Sequence, residues 1–153
     1  MSVCLQLPIE QEEEGWLRQA AEDGHVPAMH AFALQCDGHN DRRRWLREAA
    51  YEGYVPAMYD YGLSCANPPQ KRHWLRMAAE EGHVQAMYLL SRECDDAAER
   101  RRWLRMAAEE GHGQAMFELG MACGDANEKR RWLQTAARNG WQAAMMELAE
   151  IGY

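Results

Sequence analysis

Apolar residues recur along this chain in one pattern with a period of 29 residues. The clearest mark of the pattern is a tryptophan, found at Trp16, Trp45, Trp74, Trp103 and Trp132. A leucine, two adjacent alanines and a glycine follow each tryptophan, and the third copy is WLRMAAEEGHVQAM. Trp74, Leu75, Ala78 and Ala79 have the i, i+1, i+4, i+5 spacing of one apolar stripe on a helix. Self-similarity at a fixed period of this length is typical of helical repeat proteins.

Each repeat is predicted to contain two helices. The first carries the tryptophan (the Trp helix) and ends at a glycine suited to the left-handed conformation that follows many helices. These glycines are Gly24, Gly53, Gly82, Gly111 and Gly140. The second helix begins two or three residues later, with Pro27 or Pro56 in its first turn in two copies. It runs to a cysteine in four copies, and Asp41, Pro69 and Asp96 are predicted start signals for the next Trp helix.

One such helix pair cannot bury its apolar stripe alone, but stacked copies bury it against each other. The predicted fold is therefore all-α, an α-α superhelix (a right-handed α-solenoid) of about ten helices. A single repeat domain is expected over residues 1–153, with an N-terminal cap at 1–11 and repeats at 12–40, 41–69, 70–98, 99–127 and 128–153. The alanine pairs are expected to let helices approach closely. The five tryptophans are expected to form a buried spine.

Two phrases of the repeat resemble a known family. The stretch from Trp103 to Gly111 and the stretch from Ala115 to Gly120, with its Leu119–Gly120 pair, are similar to the Sel1-like repeat, a tetratricopeptide-type helical repeat. The copies here are shorter, because the joint between each cysteine and the next tryptophan is tight, and a cysteine replaces an aromatic residue usual in the family. The resemblance implies an adaptor or scaffold that contacts other proteins. It implies no particular partner, because function depends on the surface carried by a fold.

Composition and charge narrow the classes of function. The formal net charge is −7, which disfavours nucleic acid as the main partner. No apolar run approaches the roughly 18 residues of a membrane-spanning helix, and the first residues lack the pattern of a secretory signal. A cytoplasmic protein without membrane contact is therefore expected.

The cysteines and histidines predict neither a metal site nor a cofactor. There are five cysteines and no CxxC pair. Equivalent positions on stacked helices lie about 8–10 Å apart, farther than the roughly 7 Å between Cα atoms that a disulfide allows. His25, His83 and His112 are replaced by Tyr54 and Trp141 in the other copies, which favours packing over ligation. No catalytic constellation is identifiable, so an enzyme is not expected.

Two rows of residues are the candidate binding surface, because they vary between copies while core positions do not. In tetratricopeptide-type stacks the first helix of each unit lines the concave side, and mapping the family's Leu–Gly pair onto this chain makes these positions face inward. The first row contains His30, Tyr59, Tyr88, Phe117 and Met146, and the second row contains Leu34, Leu63, Arg92, Met121 and Glu150. Their apolar and aromatic character, with one central arginine, suits an extended or helical peptide.

Three alternatives remain open at this stage. A hydrolytic enzyme is one, since the resemblance extends to proteins credited with such activity. Another is a binder of acidic partners or nucleic acid, because each Trp helix after the first begins with a basic cluster: Arg42–Arg44, Lys71–His73, Arg100–Arg102 and Lys129–Arg131. This position of the clusters opposes the helix dipole. The pairs Arg18–Glu22, Arg76–Glu80 and Arg105–Glu109 are expected to offset part of that cost. Finally, Met145, Met146 and Ile151 suggest a homodimer through the last helix.

Overall fold

The computed structural model describes residues 9–152, and side chains from Gly15 onward. Ten helices and no strand are found in this part of the chain, as the sequence predicts. The Trp helices are α1 (Ile9–Glu22), α3 (His39–Tyr51), α5 (Pro68–Glu80), α7 (Ala97–Glu109) and α9 (Ala126–Arg138). The second helices are α2 (Val26–Gln35), α4 (Val55–Ser64), α6 (Val84–Glu93), α8 (Gly113–Ala122) and α10 (Gln142–Glu150).

Two compact units make up the described chain, one ending at Trp74 and the other beginning at Leu75. In the first unit α1, α2, α3 and α4 pack in sequence, each against the next. In the second unit α6, α7, α8, α9 and α10 do the same. A single domain over residues 1–153 stays a prediction, and the first eight residues of the expected N-terminal cap lie outside the described chain.

Glycines end the Trp helices as predicted. All five expected glycines have positive φ, between 82° and 96°. At the end of α5 the N–H of Gly82 donates to the carbonyl of Ala79 (3.0 Å), and the N–H of His83 donates to that of Ala78 (2.9 Å). This pair of bonds satisfies carbonyls that the helix leaves without a partner.

The predicted start signals are correct in part. Pro27 and Pro56 lie in the first turns of α2 and α4. Asp96 caps α7 by accepting the backbone N–H of Ala98 at 2.7 Å. Asp41, however, is not a cap: α3 begins two residues earlier, after Gly38, and Asp41 is an acid in its first turn. There it still favours the helix through the dipole.

Small residues bring neighbouring helices close together. Ala49 and Ala50 in the first unit, and Ala107 and Ala108 in the second, are at most 1% exposed. A Cβ atom added to Gly120 of α8 would lie 3.2 Å from the Cβ of Trp132 on α9. The alanine pairs and the glycine therefore serve the close helix contacts that the sequence predicts.

The expected spine of five buried tryptophans is wrong at its ends. Trp74 and Trp103 are buried, Trp45 and Trp132 are half-buried, and Trp16 is 79% exposed. Trp45 and Trp74 lie against the second helix of the preceding repeat: Trp45 meets Phe32 of α2 with ring centroids 5.7 Å apart, and Trp74 meets Tyr61 of α4 at 5.3 Å. No helix pair precedes α1 in the described chain, so Trp16 lacks such a cover.

Candidate binding surface

Side chains of the first row mainly form contacts between helices. In the first unit His30 of α2 bonds Asp60 of α4, with Nε2 and Oδ2 2.7 Å apart, and its ring lies 5.3 Å from that of Tyr54. Tyr59 is half-buried. Burial raises the pKa of Tyr59, and the carboxylate of Asp60 adds to the rise. This part of the row therefore packs between α2 and α4.

In the second unit the same row contains the most enclosed of the predicted site residues. Tyr88 of α6 is 3% exposed, and its hydroxyl donates to Oε1 of Glu118 on α8 at 2.7 Å. Its ring stacks on that of His112 with centroids 4.4 Å apart. Burial raises the pKa of Tyr88, and the bond to Glu118 raises it further. Tyr88 is thus a contact between helices, while Phe117 is half-buried.

The second row faces solvent in both units. Leu34 of α2 is 53% exposed and Leu63 of α4 is 45% exposed. In the second unit Arg92 is exposed and Met121 of α8 is 45% exposed. The bond between His30 and Asp60 holds α2 beside α4, so the two leucines, about one turn further along each helix, share one surface. Likewise, the bond between Tyr88 and Glu118 holds α6 beside α8. Arg92 and Met121 lie about one turn further along these two helices.

Histidines cap the second helices, which sequence reasoning missed. Nδ1 of His25, His83 and His112 accepts the backbone N–H three residues later, at 3.2 Å in each case. Tyr54 and Trp141 occupy the same position without a side-chain cap bond. The usual caps are Ser, Thr, Asp and Asn, so the recurrence of His directly after the glycine was the only available signal.

One of these histidines uses both ring nitrogens. Nε2 of His112 lies 2.9 Å from Oε1 of Gln85, while Nδ1 accepts the N–H of Ala115. Because Nδ1 accepts and Gln85 offers an oxygen, the ring is neutral with its proton on Nε2. Burial lowers the pKa of His112, and the charge of Glu118 opposes this only in part.

The basic clusters have structural roles that the sequence did not predict. Arg42 donates to the carbonyl of Cys36 at 2.8 Å, and Arg100 donates to that of Cys94 at 2.9 Å. The first residue of these two clusters therefore caps the end of the preceding second helix, where a cation also complements the dipole. Lys129, the first residue of the last cluster, pairs with Glu147 of α10 at 3.0 Å.

Ion pairs also join consecutive Trp helices. Arg18 and Glu22 form the predicted pair within α1, at 2.9 Å. Arg76 of α5 contacts Glu99 of α7, and Arg105 of α7 lies 3.4 Å from Glu128 of α9. The two latter contacts differ from the pairs within one helix that the sequence suggested, because each side chain reaches across to the neighbouring helix.

The cysteines end the second helices. Cys36, Cys65, Cys94 and Cys123 carry free thiols, and Cys65 and Cys94 are buried. Burial raises the pKa of the Cys36, Cys65 and Cys123 thiols. Cys4 lies outside the described residues. Among the side chains that the structure describes, from Gly15 to Gly152, no group of three or more His, Cys, Asp or Glu is placed to hold a metal ion.

Solved structures define the class of fold. A Sel1 repeat protein from Oxalobacter formigenes matches with a TM-score of 0.79 and 24% identity, over 92% of this chain and 67% of that one. A protective antigen of uropathogenic Escherichia coli, described as having an SLR fold, matches with a TM-score of 0.79 and 22% identity, over 91% of this chain and 36% of that one. An immunity protein from Pseudomonas aeruginosa matches with a TM-score of 0.59 and 18% identity, over 87% and 60%.

These likenesses show that the chain has the Sel1-like repeat fold, an all-α solenoid fold, which confirms the resemblance noted in the sequence. No family model and no curated protein matches the chain. It spans about a third of the length of the antigen's chain and two thirds of that of the repeat protein. Among the described residues, no helix is both long and apolar enough to cross a membrane.

Proposed function

We propose that this protein binds another protein or a peptide through the second row, as an adaptor or scaffold. The observation that carries the proposal is the exposure of Leu34, Leu63 and Met121 at one equivalent position of the repeat. Neighbouring positions of the same helices are buried, so the scaffold is fixed while this position varies. The Sel1-like fold adds support, because repeat folds offer extended surfaces for partners.

The side chains of the second row suggest which chemical groups a partner would carry. Leu34 and Leu63 are exposed apolar side chains on which a partner side chain can be desolvated, and such apolar anchors dominate the free energy of many interfaces. In the second unit the row contains the exposed Arg92 and Met121, and Met121 is a flexible side chain of the kind that adapts to varied partners. An extended or helical peptide with apolar residues and at least one acid fits this combination.

In this proposal the first row positions the helices that carry the second row. The bonds from His30 to Asp60 and from Tyr88 to Glu118 satisfy polar groups between helices. These groups hold each other, which favours a role in positioning over a role in catalysis. The buried thiols of Cys65 and Cys94 suit a reducing compartment, so we infer a cytoplasmic location.

Affinity capture from an extract of the native host tests the proposal in the first unit. The parent chain is compared with a Leu34→Glu/Leu63→Glu variant, and the partner is identified by mass spectrometry and then titrated in purified form. We expect the double variant to bind at least about tenfold more weakly, since a charge in an apolar contact costs more than 1.4 kcal/mol. Gln35→Glu, which adds a charge at an exposed neighbouring position, is the matched control.

A second pair of variants tests the other unit. Arg92→Glu/Met121→Glu is expected to weaken binding of the same partner, and the exposed Ala122→Glu is expected to leave it unchanged. A partner that binds both double variants as tightly as the parent would show that the second row is not the binding surface. Equal losses in the control variants would show that added charge alone is responsible.

A further inference from the structure

Four positions of the repeat form a recurrent set of charges between consecutive Trp helices. Two of these positions follow a tryptophan, by two and by six residues. The other two precede the next tryptophan, by four residues and by one. In three of the four sets they are an arginine, an acid, an acid and an arginine. These sets are Arg18, Glu22, Asp41 and Arg44; Arg76, Glu80, Glu99 and Arg102; and Arg105, Glu109, Glu128 and Arg131.

Each of these three sets contains an ion pair made by its first arginine. Arg18 pairs with Glu22, Arg76 with Glu99 and Arg105 with Glu128. The charges of each set therefore balance, two positive against two negative. The surface between these Trp helices consequently has little net attraction for an outside anion.

The remaining set, between α3 and α5, lacks both acids. It contains Arg47, Tyr51, Gln70 and His73. Gln70 occupies the position that Glu99 and Glu128 occupy in later copies. In those copies the acid pairs with the arginine equivalent to Arg47, but Arg47 itself has no carboxylate at this position. In the part of the chain that the structure describes, no acid forms an ion pair with Arg47.

An exposed aromatic residue replaces the other acid. Tyr51 is 71% exposed, and its ring meets that of Trp74 edge-on with centroids 5.1 Å apart. The contact with Trp74 holds the ring in place one helical turn beyond Arg47. A cation beside a fixed, exposed aromatic ring is a combination enriched in binding sites.

Further arginines extend this positive surface along α3. Asn40, Arg43, Arg44 and Arg47 lie at i, i+3, i+4 and i+7, on one face of the helix, and line a cleft of about 320 Å³ with Tyr61 of α4 as its wall. The guanidinium of Arg43 lies 5.9 Å from the ring centroid of Tyr61, which helps to position it.

The charge of this cleft is unbalanced. Its lining contains three arginines and no acid. Arg44 belongs to the balanced set between α1 and α3 and pairs with Glu48 at 3.2 Å, so the excess positive charge is carried by Arg43 and Arg47. A comparable cleft of about 370 Å³ between α7 and α9 is lined by Arg105 and Arg131 together with Glu109 and Glu128. The excess of positive charge therefore belongs to the α3 cleft and is not a general feature of the repeat.

We infer that the arginine face of α3 (Asn40, Arg43, Arg44 and Arg47), together with Tyr51, binds an oxyanion carried by a peptide segment of a protein partner. The guanidinium group matches the geometry of carboxylate and phosphate oxygens in paired hydrogen bonds. The site is separate from the second row, since it lies on a Trp helix, and it does not depend on that row being occupied.

The distribution of charge favours a short acidic segment over a nucleic acid. The acids Glu22 and Asp41 lie in the preceding set of the same unit, so a long polyanion along the Trp helices would meet repulsion beyond the cleft. The net charge of −7 acts in the same direction. One cleft with three arginines accommodates one or two adjacent oxyanions.

Fluorescence anisotropy with synthetic probes tests this inference on the full chain. The probes are a labelled ten-residue peptide with three consecutive glutamates, the same peptide with glutamine, the same peptide with phosphoserine, and a ten-residue oligothymidylate. We expect the glutamate or phosphoserine peptide to bind in low salt, and the glutamine peptide to bind at least about tenfold more weakly. The stronger of the two anionic peptides identifies the source of the oxyanion.

Three variants locate the site. Arg47→Gln is expected to weaken binding of the anionic peptide about tenfold, and Gln70→Glu, which restores the acid found in later copies, is expected to have a similar effect. Arg105→Gln, at the equivalent position of a balanced set, is expected to bind like the parent.

Arg47 and Gln70 are exposed, so circular dichroism should show unchanged folding in these variants. Equal weakening by Arg105→Gln, parent-like binding by Arg47→Gln, failure of both anionic peptides to bind, or tighter binding of the oligothymidylate would each overturn the inference.

Discussion

The ring of Tyr61 on α4 meets the ring of Trp74 on α5 edge-on, with centroids 5.3 Å apart and planes at 78°. Tyr51 approaches the same indole from α3. Two aromatic residues from two helices therefore enclose one tryptophan, which is 4% exposed. Trp16, at the equivalent position of the first copy, has no such enclosure.

This difference predicts opposite outcomes for one substitution at two equivalent positions. Trp74→Ala should lower the free energy of unfolding by about 3–5 kcal/mol, because it leaves a cavity between α3, α4 and α5. Trp16→Ala should change it by no more than about 0.5 kcal/mol, as at other exposed sites. Chemical denaturation followed by circular dichroism measures both. Similar losses for the two variants would contradict the account of how each tryptophan is covered.

The left-handed glycines give a second pair of matched positions. Gly82 has φ of 91°, whereas Gly124 has no positive φ and open space around an added Cβ. Gly82→Ala should destabilise the chain by about 1–2 kcal/mol, because a side chain is strained in this conformation. Gly124→Ala should be neutral or stabilising by up to about 1 kcal/mol. Thermal melts that rank the two variants in the opposite order would refute this role of Gly82.

The sequence predicted the helices well because local and tertiary requirements coincide in this repeat. The stripe of Trp, Leu and paired Ala needs a helix, and the glycine that follows needs a left-handed residue, so both helix type and helix end were apparent. The exposure of Trp16 was missed because the expectation treated all copies as interior ones. Within the described residues, the first copy has a neighbouring helix pair on one side only.

The candidate site was predictable to a smaller extent. The side chains of the second row extend to solvent because they lie one turn beyond the helix contacts, which periodicity locates. The bond from Tyr88 to Glu118 spans 30 residues, and the contact from Arg76 to Glu99 spans 23. Such contacts depend on how neighbouring helices cross, which the pattern of one helix does not specify. The binding role of both rows stays a prediction.

His112 predicts a dependence of stability on pH. Its Nδ1 accepts the N–H of Ala115, so a proton on Nδ1 breaks the cap, in agreement with the pKa of His112 being lowered by burial. A His with a lowered pKa in the folded state binds its proton more readily when unfolded. Its contribution to stability is therefore complete above the unfolded pKa of about 6.5 and is lost as the pH falls below that value.

The measurement compares the parent with His112→Asn between pH 7.5 and pH 5.5. Asparagine is a good cap without a titrating group in this range, so the variant should lose less of its free energy of unfolding on acidification than the parent loses. Urea denaturation at each pH gives both values. Identical pH dependence in parent and variant would show that the cap at α8 is indifferent to protonation.

The last helix predicts association of the chain with itself. On α10 the side chains of Met145 and Met146 are 47% and 67% exposed, and Ile151 directly after it is 44% exposed. A self-complementary contact between two copies of this helix would cover the same patch on both chains, as in most two-fold dimers. We therefore expect a weak homodimer that dissociates on Met145→Glu and persists in Gln142→Glu, which adds the same charge at an exposed position in the first turn of α10. Sedimentation velocity at micromolar concentrations separates the outcomes, since the chain has a mass of 17.6 kDa. A single species of that mass at every concentration would reject the dimer, and a dimer unaffected by Met145→Glu would place the contact on another surface.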